Sequence, residues 1–321
     1  MATGDDEAPP DAPQPPYEIL ERGEIYFFYR PKVSVEEPHS RDDVQHMYLV
    51  LRPEFAAGEG GAVEEKQSSD SGIVSSNTNS RKNGAVGEGK HGGDDGAEKL
   101  EIGKKPLFRY IVMGRKSLPE TTKRTRPYWG FVELVTTNPD DLKEMLAAEE
   151  YDTKTRGHRV NPAARPVGEG VYTLVHHHSG TRTDTRLVYK LEYPGPHKKH
   201  EPQDALNIED QASYIIQIKN PEQPSPPSTG IGRKRRALFP AHLQAKFGSR
   251  RFVPADPPDF LNYEGAEFIL IPASSAAIEP ELGVEMENSD SVNKNDDDLI
   301  EILGLSKDSK RIRPLIDGVW A

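Results

Sequence analysis

Gly23-Glu24-Ile25-Tyr26-Phe27-Phe28-Tyr29-Arg30-Pro31 is the stretch whose reading decides the fold class. Apolar residues fall on both alternating faces, which describes a strand covered on each side. Pro31 closes it, because proline has no N–H to give to a sheet ladder. The same grammar recurs along the chain. Met47 to Leu51 ends at Arg52-Pro53, and Leu107 to Met113 and Tyr128 to Val135 follow. Gly170 to His176 is a further strand. Leu187, Tyr189, Leu191 and Tyr193 alternate with Arg186, Val188, Lys190 and Glu192, the pattern of a half-exposed strand. Tyr214, Ile216 and Ile218 run into Asn220-Pro221, and Glu267 to Ile271 ends at Pro272. Helix signals are fewer. Asn138 caps, Pro139 suits the first helical position, and Leu142, Met145 and Leu146 share a face. A shorter helix runs from Pro240 through Leu243 and Phe247 to a stop at Gly248. Many short strands with two or three short helices predict a β-dominated α+β fold of mixed or antiparallel sheets.

Charge is partitioned along the 321 residues. Residues 101–275 carry 26 Lys and Arg against 21 Asp and Glu, whereas 1–100 carry 10 against 20 and 276–321 carry 5 against 11. The net charge of −11 therefore belongs to segments rich in Gly, Ser, Asp, Asn or Pro that have little to bury. The expected layout is a disordered acidic, Pro-rich tail at 1–16 and a single β-rich core made of 17–54 and 101–275. A disordered insertion at 55–100 interrupts that core, an acidic linker occupies 276–297, and a short helix with a C-terminal segment fills 298–321. The absence of cysteine excludes disulfides, thiolate metal sites and a thiol nucleophile. With no signal-peptide pattern and no apolar run near a membrane span, the chain reads as a soluble intracellular protein, cytoplasmic or nuclear.

Four constellations carry chemistry. His176 and His178 project from one face of a strand and His177 from the other, with Asp184 just beyond the turn. Two imidazoles begin a metal or proton-transfer site, but a third ligand is missing from the local sequence, so a solvated strand end is the simpler reading. Lys154, Arg156, Arg159 and Arg165 precede Gly168-Glu169-Gly170. Guanidinium forks suit phosphates and carboxylates, and glycines let backbone approach an anion. The bland alternative is a long loop whose arginines pair with Glu149, Glu150 and Asp152. Arg233-Lys234-Arg235-Arg236 follows a Pro/Ser/Gly-rich stretch, a pattern suited to a nuclear-import receptor. Finally, Leu299, Ile302 and Leu303 form a docking helix on an acidic tether or fold back onto the core, where Leu315 and Trp320 would anchor the terminus. Asp256 and Asp259 lie in a rigid Pro-rich turn. No serine elbow or HExxH motif occurs.

The phrases ERGEIYFFYRPKV (21–33), YDTKTRGHRVNPAARPVGEGVY (151–172), SYIIQIKNPE (213–222) and RRFVPADPPDFLNYEGAEFILI (250–271) resemble an uncharacterised family. It is represented in bacteria, fungi and plants, and its fungal members carry the label "BTB domain transcription factor". The resemblance covers most of 17–53 and 101–273. It implies one ancient domain and a regulatory or nuclear role, and supplies no catalytic residues. Together the residues favour a non-enzymatic, regulatory binding module without cofactor. It would hold an anionic partner, acidic protein or nucleic acid, on Lys154, Arg156, Arg159 and Arg165. The alternative is an enzyme acting on a phosphorylated or acidic small molecule through His176 or His178.

Overall fold

The computed structural model describes residues 17–33, 35–54, 106–121, 126–155, 157–179, 182–223, 235–273, 299–305 and 309–321. Met1–Phe55 and Pro106–Ala321 fall in one unit, and Ala56–Lys105 in a second that lies wholly outside the described residues. The expected tail at 1–16, insertion at 55–100 and linker at 276–297 also lie outside them.

Two antiparallel meanders build the core. The first comprises β1 (Tyr17–Pro31), β2 (Val44–Pro53), β3 (Phe108–Met113) and β4 (Tyr128–Thr136). Next come helix α1 (Pro139–Leu146) and a separate hairpin of β5 (Glu149–Thr153) and β6 (Gly157–Asn161). The second meander contains β7 (Arg165–Ser179), β8 (Arg182–Tyr193), β9 (Gln211–Lys219) and β11 (Glu267–Pro272). Helices α2 (Glu201–Leu206) and α3 (Ala241–Phe247) and the short strand β10 (Phe252–Pro254) lie in its connections. Pairing of β1 with β7 and of β4 with β11 joins the meanders, and every ladder is antiparallel. An eight-stranded closed barrel results, with β10 laid against the C-terminal half of β9. Closure satisfies strand edges that an open sheet would leave unpaired.

One face of each strand fills the barrel. Ile25, Phe27 and Tyr29 of β1 meet Leu49 and Leu51, Ile111 and Met113, Leu174, Tyr189, Ile216 and Leu270. The opposite face of β1 to β3 is also apolar, presenting Tyr26, Phe28, Tyr48, Val50, Phe108 and Tyr110. That surface is covered by Leu142 and Leu146 of α1, and by the C-terminal helices α4 (Leu299–Ile302) and α5 (Arg313–Ile316). The doubly apolar reading of 23–31 is thereby explained: one face is barrel interior, the other lies under helices. The docking-helix expectation for Leu299, Ile302 and Leu303 is corrected here. Leu299 is 0% and Leu303 7% exposed, both packed on that outer face, so their apolar surface is already spent. Leu315 is buried with them, and the Trp320 indole meets the Tyr29 ring edge-on at 5.4 Å.

Two further readings change. Glu149–Thr153 and Gly157–Asn161 pair as a hairpin rather than forming part of a loop, in register Tyr151 to Arg159. Gly168 and Gly170 do not cradle an anion. A side chain at Gly168 would press on the Phe27 ring, and one at Gly170 would collide with the Lys190 carbonyl across β8. Likewise β8 is covered on both sides in its middle, where Arg186, Leu187, Val188 and Tyr189 are all buried.

Candidate functional site

The four cations expected to act together are separated. Lys154 is exposed at the hairpin end, Arg159 is half-buried on β6, and Arg156 lies outside the described residues. Arg165 begins β7 opposite Tyr29, and there the structure brings other cations to it. Arg311, in the turn of 3-10 helix at Lys310–Ile312, reaches the same place and donates from Nη2 to Ala164 O at 3.0 Å. Its pKa is pushed down, first by burial and then by the charges of Arg165 and Arg30. Burial likewise lowers Arg165.

Each arginine of this trio is held differently. Arg30 is spent: its guanidinium donates to Met145 O at 2.8 Å and Ala147 O at 2.8 Å, satisfying carbonyls at the end of α1, and to Pro162 O at 2.6 Å. Arg165 donates from Nη2 to Glu36 O at 2.8 Å, but its Nη1 is buried with no partner. The Nε of Arg311 is in the same condition. Among the described residues no carboxylate forms an ion pair with any of the three. Two partly buried guanidiniums with unused donors, beside a third charge of the same sign, make a local positive potential without a counter-charge. The neighbouring carboxylates are few: Glu37 acts on Arg165 from a distance and lies 3.9 Å from Lys310.

His176 and His178 share a face of β7, as expected, with ring centroids 4.9 Å apart. Alternation places them beyond Tyr172 and Leu174 on the face that lines the barrel. Asp184 does not join them: it is paired with His177 across the ladder, 3.7 Å from His177 Nδ1, and is bound by Arg186 Nε at 2.7 Å. The third donor is Glu18, directly opposite His176 on β1. These three are the residues among those described that could hold a metal ion.

Deeper in the barrel lies a network that sequence reasoning missed. Arg109 is 1% exposed and faces inward with Ile111 and Met113. It grips Glu21 with both arms of its fork, Nη1 to Oε1 at 2.6 Å and Nη2 to Oε2 at 2.8 Å, and donates from Nε to Asn262 Oδ1 at 2.7 Å. The Tyr172 hydroxyl donates to Glu21 Oε1 at 2.7 Å. Burial pushes the Tyr172 phenol well above its ordinary pKa, and Glu21 adds to the effect. The available signal was parity: a lone arginine in the apolar strand LFRYIVM, on the same face as Ile111 and Met113.

Outside the barrel an open cleft of about 290 Å³ is lined by Arg30, His46, Tyr48, Tyr110, Glu133 and Glu149. Burial lowers the His46 pKa, with Arg30 and Lys116 adding to it. Of the basic run at 233–236, Arg233 and Lys234 lie outside the described residues. Arg235 is exposed and bound to Glu264, and Arg236 is exposed. Asp259 sits in the 3-10 turn at Pro258–Asn262, where its charge acts on Arg109.

No family model, curated protein or solved structure matches this chain, so its own residues carry the functional reading. Among the described residues no helix is long and apolar enough to cross a membrane.

Proposed function

We propose that the chain is a binding protein that holds an acidic segment of a protein partner at Arg165 and Arg311. The observation that carries this reading is the pair of partly buried guanidiniums with unpartnered N–H groups and no bonded carboxylate. A carboxylate supplies what they lack: negative charge, and two acceptor oxygens matched to a guanidinium fork. The electrostatics favour a point contact over a nucleic-acid track. Glu36 and Glu37 are exposed beside the pair, and their charges repel a continuous run of phosphates passing over it. The basic run at 233–236 favours a nuclear over a cytoplasmic place for the partnership.

The test is binding of the full chain to a fluorescent glutamate-rich peptide, with a single-stranded RNA of equal charge as comparator. Hydrogen bonds to charged groups contribute about 1.5–3 kcal/mol each, and 1.4 kcal/mol is tenfold in affinity. Arg165→Ala with Arg311→Ala is expected to weaken peptide binding by about tenfold or more, while Lys154→Ala leaves it unchanged. Equal affinity of the double variant and the native chain, or tighter binding of RNA than of peptide, contradicts the reading.

A further inference from the structure

We infer that Glu18, His176 and His178 form a binding site for a divalent first-row transition ion, for which Zn²⁺ is the fitting probe. This is independent of the arginine pair, and it rests on what the β1–β7 ladder places together. Residues two apart on a strand share a face, so the H-x-H spacing aims both imidazoles the same way. The antiparallel register then sets Glu18 directly across from His176. One donor atom from each of the three lies within 4.8 Å of the other two. Tetrahedral zinc, with bonds of about 2.0–2.1 Å, asks for donors about 3.4 Å apart. Glu18 and His178 are exposed and His176 is half-buried, so their rotamers can close that difference without moving the ladder.

The donor set selects the kind of ion. Imidazole nitrogen suits zinc, copper and nickel, whereas calcium and magnesium take oxygen ligands. Three protein donors leave one position for water, the coordination of open rather than closed zinc sites. A supporting group is in place as well. Thr185 of β8 is the ladder partner of His176 and is 0% exposed, and its hydroxyl has no hydrogen-bond partner among the described residues. Ligating histidines give their second ring N–H to a neighbouring acceptor, and the Thr185 hydroxyl oxygen is a candidate for that role. His177 provides the internal control, because it projects from the other face toward Asp184.

Titration of the full chain with Zn²⁺ by calorimetry tests the site, with Mg²⁺ in parallel. One Zn²⁺ per chain is expected to bind at micromolar concentration or below. His176→Ala and Glu18→Gln should each weaken it by about tenfold or more, and His177→Ala should not. Co²⁺ bound to the native chain should show the intense visible absorption of four- or five-coordinate cobalt, a readout that needs no variant to fold. The inference is overturned by the weak spectrum of octahedral aqueous Co²⁺, by equal binding of Mg²⁺, or by native affinity in the His176→Ala, His178→Ala double variant.

Discussion

Glu21→Ala is expected to destabilise the barrel by about 3–5 kcal/mol, read from the urea midpoint of unfolding at unchanged slope. The substitution leaves the Arg109 guanidinium inside the barrel at 1% exposure, with only Asn262, among the described residues, accepting from it through a hydrogen bond. A buried charge stripped of its counter-ion is among the most destabilising lesions a core can carry. The pair as a whole is a different matter, because taking both ions out of water costs about what their attraction returns. Removing both together, as Glu21→Leu with Arg109→Met, should therefore recover most of the loss. The two single changes are expected to be strongly non-additive. Single variants within about 1 kcal/mol of native, or a double variant as unstable as their sum, would show that the network does not hold the barrel interior.

Leu299→Ala is expected to cost about 2–5 kcal/mol, the range for truncating a buried leucine whose surroundings relax only in part. Its side chain belongs with Tyr26, Phe28, Tyr48 and Tyr110 on the outer face of the first meander. The helices help to shield those aromatics from water. A polar replacement, Leu299→Asp, should cost more, since it adds a buried unpaired carboxylate to the lost contacts. Lys310→Ala, a change at an exposed neighbour held by a 3.9 Å surface ion pair, serves as control and should stay within about 0.5 kcal/mol. If Leu299→Ala behaves like that control, the segment does not seal the barrel and the docking role regains standing.

Much of this architecture is legible before any coordinate is known, and the reasons are local. The barrel strands are rich in aromatic and β-branched residues and several stop at or just before a proline, so Ile25 to Tyr29 and Tyr214 to Ile218 declare themselves. Helix α1 carries its own start signal: Asn138 accepts a hydrogen bond from Asp140 N at 3.2 Å, with Pro139 at the first position. The β5–β6 hairpin is silent because EEYDT and GHRVN have no apolar alternation to read; every side chain there is exposed or half-buried. Helix α2 is silent because it is six residues long and is held by Gln203, whose amide donates to Val167 O and Pro314 O, both at 2.7 Å. Closure of the barrel is invisible for a different reason. It depends on β1 meeting β7 and β4 meeting β11, and pairings at that separation leave no local pattern.

The candidate sites divide the same way. Arg165 is readable as an anion-type arginine, and His176 and His178 as a ligand pair. Their partners, Arg311 and Glu18, come from distant segments that only the closed barrel and its covering helices deliver. Local sequence thus offers half of each candidate site, together with decoys such as Gly168-Glu169-Gly170, where Gly168 makes room for the Phe27 ring and Gly170 for the Lys190 carbonyl.

The most direct test of the anion-binding account is the thermal midpoint of the full chain and its Arg311→Leu variant, in chloride and in sulfate at equal ionic strength. Arg311 repels two neighbouring guanidiniums and leaves one donor unsatisfied, so the account predicts that Arg311→Leu is at least as stable as the native chain in chloride. Sulfate, by binding the folded native site, should raise the native midpoint by clearly more than that of the variant. A less stable variant with the same response to sulfate would mean that Arg311 is structural and that no anion is held there.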